Sequence, residues 1–318
     1  MKTIKVTILL SCLTLLTCNS VSETQTPPEA PKNDKIYIAD PFILLHKGTY
    51  YAYGTSRDDG FEVYVSQDLN NWKKHTDLAL SQADSYGEKW FWAPEVYYNS
   101  ESKTFYMYYS AEEHICVAIS ESPLGPFKQV ERKPMRAEKA IDSSLFIDDD
   151  GTPYLFFVRF INGLTIWVAQ LESDLTTIKE NTLKKCLEAT SDWELQQDRV
   201  TEGPSVFKYN GIYYLLYSAN NYQSRDYAVG YATASSPMGT WSKSTDNPVL
   251  HKPGMKLVGT GHGSIFFDKN GNFKYVFHSH FSTTKVHPRQ MNITDMAIDD
   301  NAKLTISSSK IISSFSLK

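Results

Sequence analysis

Five segments of this chain resemble one another, and each is soon followed by a stretch rich in Tyr and Phe. A repeat of about 40 to 50 residues per unit is typical of a β-propeller, in which every unit is one four-stranded blade. The repeat therefore predicts an all-β fold, a five-bladed β-propeller of four-stranded antiparallel blades around a central channel. Aligned on the apolar pair after each opening, the equivalent positions lie 53, 49, 61 and 59 residues apart, at Phe42, Glu95, Ser144, Ser205 and Ser264.

Each repeat has the sequence pattern of antiparallel hairpins. In the first repeat, residues 42–46 precede a Lys47-Gly48 turn and residues 50–53, and residues 61–65 form the predicted third strand. Short alternating strands separated by Gly, Asn and Asp turns indicate antiparallel sheet. The other units repeat this scheme, with first turns at residues 99–103, 148–151, 210–211 and 270–271.

The opening strand of each repeat is expected to line the central channel with an unpaired edge. Pro41, Pro94 and Pro204 fit this placement, because a missing N–H costs no hydrogen bond at a strand edge that has no partner. Pro also biases the residue before it toward an extended conformation, so Asp40 is expected to be extended.

The first 18 residues have the pattern of a secretory signal. A short basic start is followed by a mostly apolar stretch that is too short for a stable bilayer anchor. Leu15-Leu16-Thr17-Cys18 resembles a bacterial lipoprotein processing site, although Thr17 departs from the usual small residue before the Cys. We therefore expect an exported protein, a periplasmic or cell-surface lipoprotein that touches the membrane only through a lipid on Cys18. Ordinary cleavage, with secretion of a soluble protein, is the alternative.

A polar, Pro-containing segment at residues 19–34 follows the signal, and it is too poor in apolar residues to pack. It predicts a tether that leads into a propeller domain at residues 35–318. Two of the four Cys lie in the signal, and Cys116 and Cys186 form neither a disulfide framework nor a zinc-binding pattern. The net charge of −4 without a basic block argues against a nucleic-acid partner.

Equivalent residues of the opening strands should converge on one pocket at the axis. The converging positions are Asp40, Trp92 or Ala93, Asp142, Glu202 and His262, each two or three residues before the aligned position. Packing alone gives no reason to gather three carboxylates, because like charges raise one another's pKa and desolvation is costly. The cluster is therefore a candidate functional site.

Two carboxyl groups that flank a glycosidic bond suffice for its hydrolysis. One protonates the leaving oxygen and the other activates water, at a separation of roughly 6.5 to 9.5 Å when the reaction inverts the anomeric centre. A third carboxylate would raise the pKa of the acid and hold it protonated near neutral pH.

At these residues the chain resembles glycoside hydrolase family 43, whose members are five-bladed propellers that act on arabinose- and xylose-containing plant polysaccharides. The matching segments come in the family's order and extend from about Ile36 to the C-terminus. They are Ala39-Asp40-Pro41-Phe42-Ile43, Trp92-Ala93-Pro94-Glu95-Val96, Ile141-Asp142-Ser143-Ser144-Leu145-Phe146, Thr201-Glu202-Gly203-Pro204 with Lys208, and Gly261-His262-Gly263-Ser264.

The resemblance implies roles for the converging residues. Asp40 resembles the general base, Glu202 the general acid, and Asp142 the residue that tunes the pKa of the acid and orients it. His262 resembles an axial His near a bound ion, often calcium, that the family holds largely through water in the central channel. No cofactor is expected for the chemistry. Each residue also has a structural alternative: a turn for Asp40 or Asp142, a Lys pair for Glu202, and a core His for His262.

Four further residues are predicted to bind substrate. Trp92, Ala93 and Ile141 adjoin the predicted catalytic groups, and Trp92 is suited to form an apolar wall for a sugar ring. Arg289 resembles the family's inward Arg, which contacts sugar hydroxyls or the acid and offers a bidentate donor. Glu95 aligns with serines rather than with the acids and is interpreted as structural.

The run Asp148-Asp149-Asp150-Gly151 resembles a metal loop but falls on a hairpin tip, where a solvated turn is expected. The resemblance implies an inverting, exo-acting α-L-arabinofuranosidase that acts on a plant oligo- or polysaccharide. β-Xylosidase, endo-1,4-β-xylanase, arabinanase and exo-galactanase activities remain alternatives. So do a non-catalytic sugar-binding propeller and a fructan-acting enzyme, although the latter needs an Asn-Asp-Pro-Asn-type opening that residues 39–42 lack.

Overall fold

The computed structural model describes residues 33–254 and 257–317 of the chain. The predicted signal at residues 1–18, with Cys18, and residues 19–32 of the predicted tether lie outside the described residues. Asn33–Asp34, which the sequence assigned to the tether, form a short strand of the propeller sheet instead. Within the described ranges, no helix is both long and apolar enough to cross a membrane.

Five antiparallel blades surround one axis, which confirms the predicted five-bladed propeller. In every blade the opening strand of the repeat is the innermost, and these inner strands contact one another in a closed ring. From the axis outward, the strands are Ala39–His46, Thr49–Thr55, Tyr64–Ser66 and Asn71–Lys74 in blade one; Trp92–Asn99, Thr104–Ala111 and His114–Ser120 in blade two; Ala140–Ile147, Pro153–Phe160, Leu164–Gln170 and Lys184–Leu187 in blade three; Thr201–Tyr209, Ile212–Ala219, Ala228–Ala234 and Ser242–Lys243 in blade four; and Gly261–Phe267, Phe273–Ser279, Gln290–Ile298 and Leu304–Ile306 in blade five.

Two blades depart in detail from the repeated pattern. The third strand of blade one is Tyr64–Ser66 rather than residues 61–65, because Gly60–Phe61 pair instead with Leu80–Ser81 in a separate small sheet. In blade two the outer strand is reduced to a single bridge between Ile119 and Lys128. Among the described residues, three short 3-10 helices lie in connecting segments: Gln82–Asp84, Glu180–Thr182 and Asp192–Glu194.

The two ends of the domain meet on the outer edge of blade one. Phe315–Leu317 pair in parallel with Asn71–Lys74, and Asn33–Asp34 add an antiparallel strand outside them. The ring of Phe315 packs at 89° against Trp72, with 6.4 Å between the ring centroids. Pairing of the C-terminal strand with the first blade closes the ring and protects its edge.

The core consists of five apolar clusters, one in each interface between neighbouring blades. Because side chains of a strand alternate between its two faces, each blade contributes one face to the cluster on either side. Most of the Tyr and Phe side chains lie in these clusters. The packing faces of the blades therefore fix their order and leave the inner strand edges free to form a site.

Each inner strand carries a β-bulge near its start, where the pairing register shifts by one residue. The first bulged residue has a left-handed backbone, with φ of 50° at Asp40, 47° at Ala93, 56° at Asp142, 58° at Gly203 and 38° at His262. The expectation of an extended Asp40 was therefore wrong, because the bulge requires a positive φ that Asp tolerates better than most residues. Bulges re-aim side chains, and these five occur where the inner strands converge.

Candidate active site

The bulges bring the predicted catalytic residues to one cavity of about 610 Å3. Asp40, Asp142 and His262 occupy the equivalent bulge position in their blades, and Glu202 lies one residue earlier, before Gly203. All four line the cavity, and their side chains are largely buried. A pocket of this volume is in the range of small-molecule binding sites.

Asp40 is held by a cation and a hydroxyl group. The Arg289 guanidinium donates from Nη1 to Oδ1 at 2.8 Å and from Nη2 to Oδ2 at 3.3 Å. Thr55 of the same blade donates its hydroxyl to Oδ2 at 2.7 Å. Burial alone would raise the pKa of Asp40, but the charge of the Arg289 guanidinium, the largest lowering influence, holds this pKa well below its ordinary value. Asp40 is therefore ionised at neutral pH.

Asp142 and Glu202 have the opposite electrostatic setting. Burial, and next the charges of Glu202 and Asp40, raise the pKa of Asp142 well above its ordinary value. Burial also raises the pKa of Glu202 to about 7, against the lowering effect of the Tyr227 hydroxyl, which donates to Oε1 at 2.7 Å. Two neighbouring buried carboxyl groups cannot both ionise cheaply, so the pair retains a proton near neutral pH.

Two histidines adjoin the carboxylates. His262 Nδ1 lies 3.3 Å from Asp40 Oδ1 and 3.8 Å from Asp142 Oδ2, and burial lowers the pKa of His262. His278 is fully buried, with Nδ1 at 3.2 Å from Asp40 Oδ1, and burial followed by the charge of Arg289 lowers its pKa to about 3. Both rings are therefore neutral at pH 7.

The predicted substrate-binding residues separate into two groups. Trp92, Ile141 and Arg289 line the cavity, and the ring of Trp92 stacks on Trp90 with 5.9 Å between the centroids. Arg289 pairs with the predicted base rather than with the predicted acid. Ala93, by contrast, does not line the cavity, because its small side chain is buried in the bulge.

Two other acidic groups identified in the sequence lie elsewhere. Glu95 accepts a hydrogen bond from Tyr97, and burial raises its pKa to about 8, so it is a protonated group of the inner strand of blade two. The Asp148 side chain accepts hydrogen bonds from Lys208 at 3.0 Å and Tyr213 at 2.6 Å, at a hairpin tip between blades three and four. Asp148 therefore binds blade three to blade four and does not belong to the cavity.

A ring of five hydrogen bonds, which the sequence did not reveal, joins each blade to the next at the bulges. The donor is always the backbone N–H of the left-handed residue, and the acceptor is a side chain of the preceding blade. The pairs are Ala93 N to Thr55 Oγ1 at 2.9 Å, Asp142 N to Ser110 Oγ at 3.0 Å, Gly203 N to Asp142 Oδ2 at 3.2 Å, His262 N to Ser218 Oγ at 2.7 Å, and Asp40 N to His278 Nδ1 at 3.1 Å.

Two residues of the site, Tyr227 and His278, were also missed by sequence reasoning. Their rings stack at 11° with 5.6 Å between centroids. Tyr227 contacts Glu202 and His278 contacts Asp40, so the stacked pair connects the predicted acid with the predicted base. Only their positions in the repeat could have indicated them, since Tyr227 lies just before a third strand and His278 is the second-last residue of a second strand.

The fold and site define a class of protein: a propeller hydrolase with an ionised and a protonated carboxyl group on one cavity. Comparison with known proteins agrees, because the family model described as Glycosyl hydrolases family 43 matches residues 35–302. The chain belongs to this family and is a glycoside hydrolase.

Solved structures of similar proteins cover most of the chain. The crystal structure of an endo-1,4-beta-xylanase from Bacteroides thetaiotaomicron has a TM-score of 0.87 and 50% identity, covering 91% of this chain and 100% of that one. A thermostable family-43 glycoside hydrolase has a TM-score of 0.80 and 36% identity, covering 88% and 96% of the two chains.

Curated relatives carry several enzyme names. The protein named beta-D-galactofuranosidase of Aspergillus niger is 27% identical over 281 residues, 81% of this chain and 78% of that protein. The arabinoxylan arabinofuranohydrolase of Bacillus subtilis is 26% identical over 293 residues, and the match spans 74% of this chain and 55% of that protein. The names agree on glycoside hydrolysis and differ in the sugar.

Proposed function

We propose that this protein is an inverting, exo-acting α-L-arabinofuranosidase that removes arabinose from arabinan, arabinoxylan or arabinogalactan. The observation that carries the reaction type is the opposite protonation of two carboxyl groups on one cavity. The pKa of Asp40 lies well below its ordinary value and that of Glu202 is about 7. Inverting hydrolysis requires an ionised base and a protonated acid at the same pH.

In the proposed reaction, Glu202 gives its proton to the glycosidic oxygen as the bond from that oxygen to the anomeric carbon breaks. Asp40 removes a proton from a water molecule, which attacks the anomeric carbon from the opposite face. The step leaves Glu202 ionised and Asp40 protonated, and proton exchange with solvent restores both. The hydrogen bonds from Arg289 and Thr55 orient the carboxylate of Asp40 toward one place on the cavity.

The proposed sugar rests on the names of relatives, which support two candidates. Names that refer to furanosides, such as arabinoxylan arabinofuranohydrolase, support a furanosidase. An endo-1,4-β-xylanase is the second candidate, because the 50% identical neighbour bears that name and is covered over its full length. The experiment below also tests β-xylosidase and arabinanase activities.

The experiment uses purified protein with aryl α-L-arabinofuranoside, aryl β-xyloside, aryl β-D-galactofuranoside, linear arabinan, linear xylan and arabinoxylan. We expect release of free arabinose from the first substrate and from arabinoxylan. Production of xylo-oligosaccharides from linear xylan, without arabinose release, would replace the proposal with the endo-xylanase. Cleavage of the galactofuranoside alone would replace it with a galactofuranosidase.

A matched pair of carboxyl variants tests the acid. Glu202→Ala should lower the rate of sugar release from natural oligosaccharides by about 100-fold or more, because their leaving groups need protonation. Glu95→Gln is the control, because the Glu95 carboxyl is also buried but is protonated and does not line the cavity. Full activity of Glu202→Ala would refute the assignment of the acid.

A bound ion is a separate question at His262. Calcium prefers six to eight oxygen ligands, whereas the nearest donors here are an imidazole nitrogen and an Asp40 carboxylate already engaged by Arg289 and Thr55. In the part of the chain that the structure describes, no three His, Cys, Asp or Glu side chains form a metal cage. These residues do not fit direct coordination of calcium, and no step of the reaction is routed through an ion.

We propose that any such ion is held at His262 through water. Treatment with a chelator should then lower the melting temperature, and added calcium should restore it. The same melting temperature with and without chelator would leave His262 as a hydrogen-bonded residue of the site.

Export and lipid attachment are also proposed, from the pattern of residues 1–18. Expression of the full chain in a bacterium should give a membrane-associated protein whose N-terminal peptide begins at a lipid-modified Cys18. A soluble product cleaved after Cys18 would show ordinary secretion instead.

A further inference from the structure

The ring of hydrogen bonds between blades uses a different kind of acceptor at one place, between blades three and four. In four blades the accepting side chain belongs to the second strand and pairs with the residue just before the bulge. Blade three has an apolar residue at this position. The pairs are Thr55 with Ala39, Ser110 with Trp92, Ser218 with Glu202, His278 with Gly261 and, in blade three, Val158 with Ile141.

Val158 leaves one buried donor without the usual acceptor. Its side chain is fully buried in the apolar cluster between blades three and four. A buried backbone N–H needs a partner, and an unsatisfied one is costly. The N–H of Gly203 therefore bonds to Asp142 Oδ2 at 3.2 Å. This bond attaches Asp142 to the backbone of the residue that follows Glu202.

Blade one shows the arrangement that a hydroxyl would produce. There Thr55 Oγ1 accepts from Ala93 N at 2.9 Å and donates to Asp40 Oδ2 at 2.7 Å. The Thr55 hydroxyl therefore binds the Asp40 carboxylate of its own blade and also accepts from the N–H of the next blade, so the carboxylate, which Arg289 binds as well, is not needed there. In blade three the carboxylate itself makes the connection.

We propose that Val158 is a positioning residue for hydrolysis: by offering no acceptor to Gly203 N–H, it directs Asp142 toward the strand that carries Glu202. This inference rests on the proposed roles of Asp142 and Glu202. Val158 is fully buried and does not line the cavity, so its effect passes through the orientation of Asp142.

The variant Val158→Thr reproduces the blade-one arrangement with a side chain of similar shape. Its hydroxyl should accept from Gly203 N and release the Asp142 carboxylate. We expect kcat to fall about tenfold to 100-fold, as for a misplaced catalytic group, with KM changed less than about twofold. Val158→Ala is the control: it loses packing but gains no acceptor, so it should lower the melting temperature while kcat stays within about twofold of wild type.

NMR of the Gly203 amide tests the hydrogen bond to Asp142 directly. Glu202-Gly203 is the single Glu-Gly pair in the sequence, so labelling Glu at the carbonyl carbon and Gly at the nitrogen assigns its amide signal. The signal should move in Val158→Thr and stay in place in Val158→Ala. If the threonine variant does not fold, Val158→Ser and the exchange rate of this amide in wild-type protein serve instead, and rapid exchange in the wild type would overturn the inference.

An unmoved Gly203 signal in Val158→Thr, or a moved signal with wild-type kcat, also overturns it. So does an equal loss of kcat in Val158→Ala, since packing alone would then explain the effect. Failure of the proposed function is distinguishable, because it would appear as full activity in Glu202→Ala whatever the Gly203 signal does.

Discussion

Blades one and three place an aspartate at the same position of the fold and give it opposite chemistry. Asp40 and Asp142 are both the left-handed residue of an inner-strand bulge, with φ of 50° and 56°. Asp40 has Arg289 and a hydroxyl as partners, and its pKa is held well below the ordinary value. Asp142 has no cation among its hydrogen-bond partners and faces Glu202, and its pKa is raised well above that value.

The comparison separates what the repeat supplies from what its neighbours supply. The bulge fixes the backbone and therefore the direction of each side chain, whatever residue is present. Charges and hydrogen bonds around the carboxyl group then decide whether it holds a proton. An internally repeated fold can thus produce an ionised carboxylate and a protonated carboxyl group from the same position.

The largest expected effect comes from removing the proposed base, Asp40, in blade one. Asp40→Asn keeps the shape of the side chain but cannot accept a proton, so kcat should fall about 1,000-fold. Steady-state kinetics on an aryl glycoside measure the loss, and circular dichroism confirms the fold. Asp149→Asn, at an exposed hairpin tip, is the control and should leave kcat unchanged. A loss below tenfold in Asp40→Asn would contradict the assigned base.

A second change makes blade one electrostatically like blade three. Arg289→Met removes the cation that lowers the pKa of Asp40, so that pKa rises and the base becomes protonated at higher pH. We expect activity at pH 5 to fall about tenfold to 100-fold, with a smaller loss at pH 7. An equal loss at both pH values would show that Arg289 acts on the substrate rather than on Asp40.

The matching substitution in blade three, Asp142→Asn, should reduce kcat less than Asp40→Asn does. Asp142 already holds its proton more tightly than an ordinary Asp, and the amide oxygen of Asp142→Asn can still accept from Gly203 N. We expect kcat to fall about tenfold, less than in Asp40→Asn. Equal losses in the two variants would remove the distinction between the blades.

The last prediction concerns the pH dependence of the unmodified enzyme. Glu202 has a pKa of about 7, so the protonated acid is lost as the pH rises through that value, and kcat should then fall about tenfold per pH unit. The folded-state pKa of Asp40 lies well below its ordinary value of 3.8, so the proposed base stays ionised at that pH and above. Activity that increases from pH 7 to pH 9 would contradict this assignment.

The repeat made the fold predictable because each blade carries its own turns and aromatic strands. The Lys47-Gly48 and Asn210-Gly211 turns connect the expected hairpins, with positive φ at all four residues. The third strand of blade one was misplaced because Phe61 is apolar and fits a strand pattern, yet it pairs in a separate sheet with Leu80.

The candidate site was only partly predictable, because sequence shows which residues recur but not what surrounds them. The carboxylates and His262 share a recurrent position and could be found by alignment of the repeats. Thr55, Ser110 and His278 differ in type, and their shared role as acceptors becomes visible only when the second strands are aligned at their ends. The proposed effect of Val158 arises because its side chain has no hydrogen-bond acceptor, and the repeat alone does not show that an acceptor is needed at this position.

The difference between Asp40 and Asp142 is measured most directly by carbon NMR of the two side-chain carboxyl groups. Protein labelled with 13C at the Asp carboxyl carbon would be titrated from pH 4 to pH 9, with Asp40→Asn and Asp142→Asn identifying the two signals. Opposite protonation of the two groups at pH 6, with Asp40 ionised and Asp142 protonated, is the predicted result. Two ionised carboxylates at pH 6 would contradict the account.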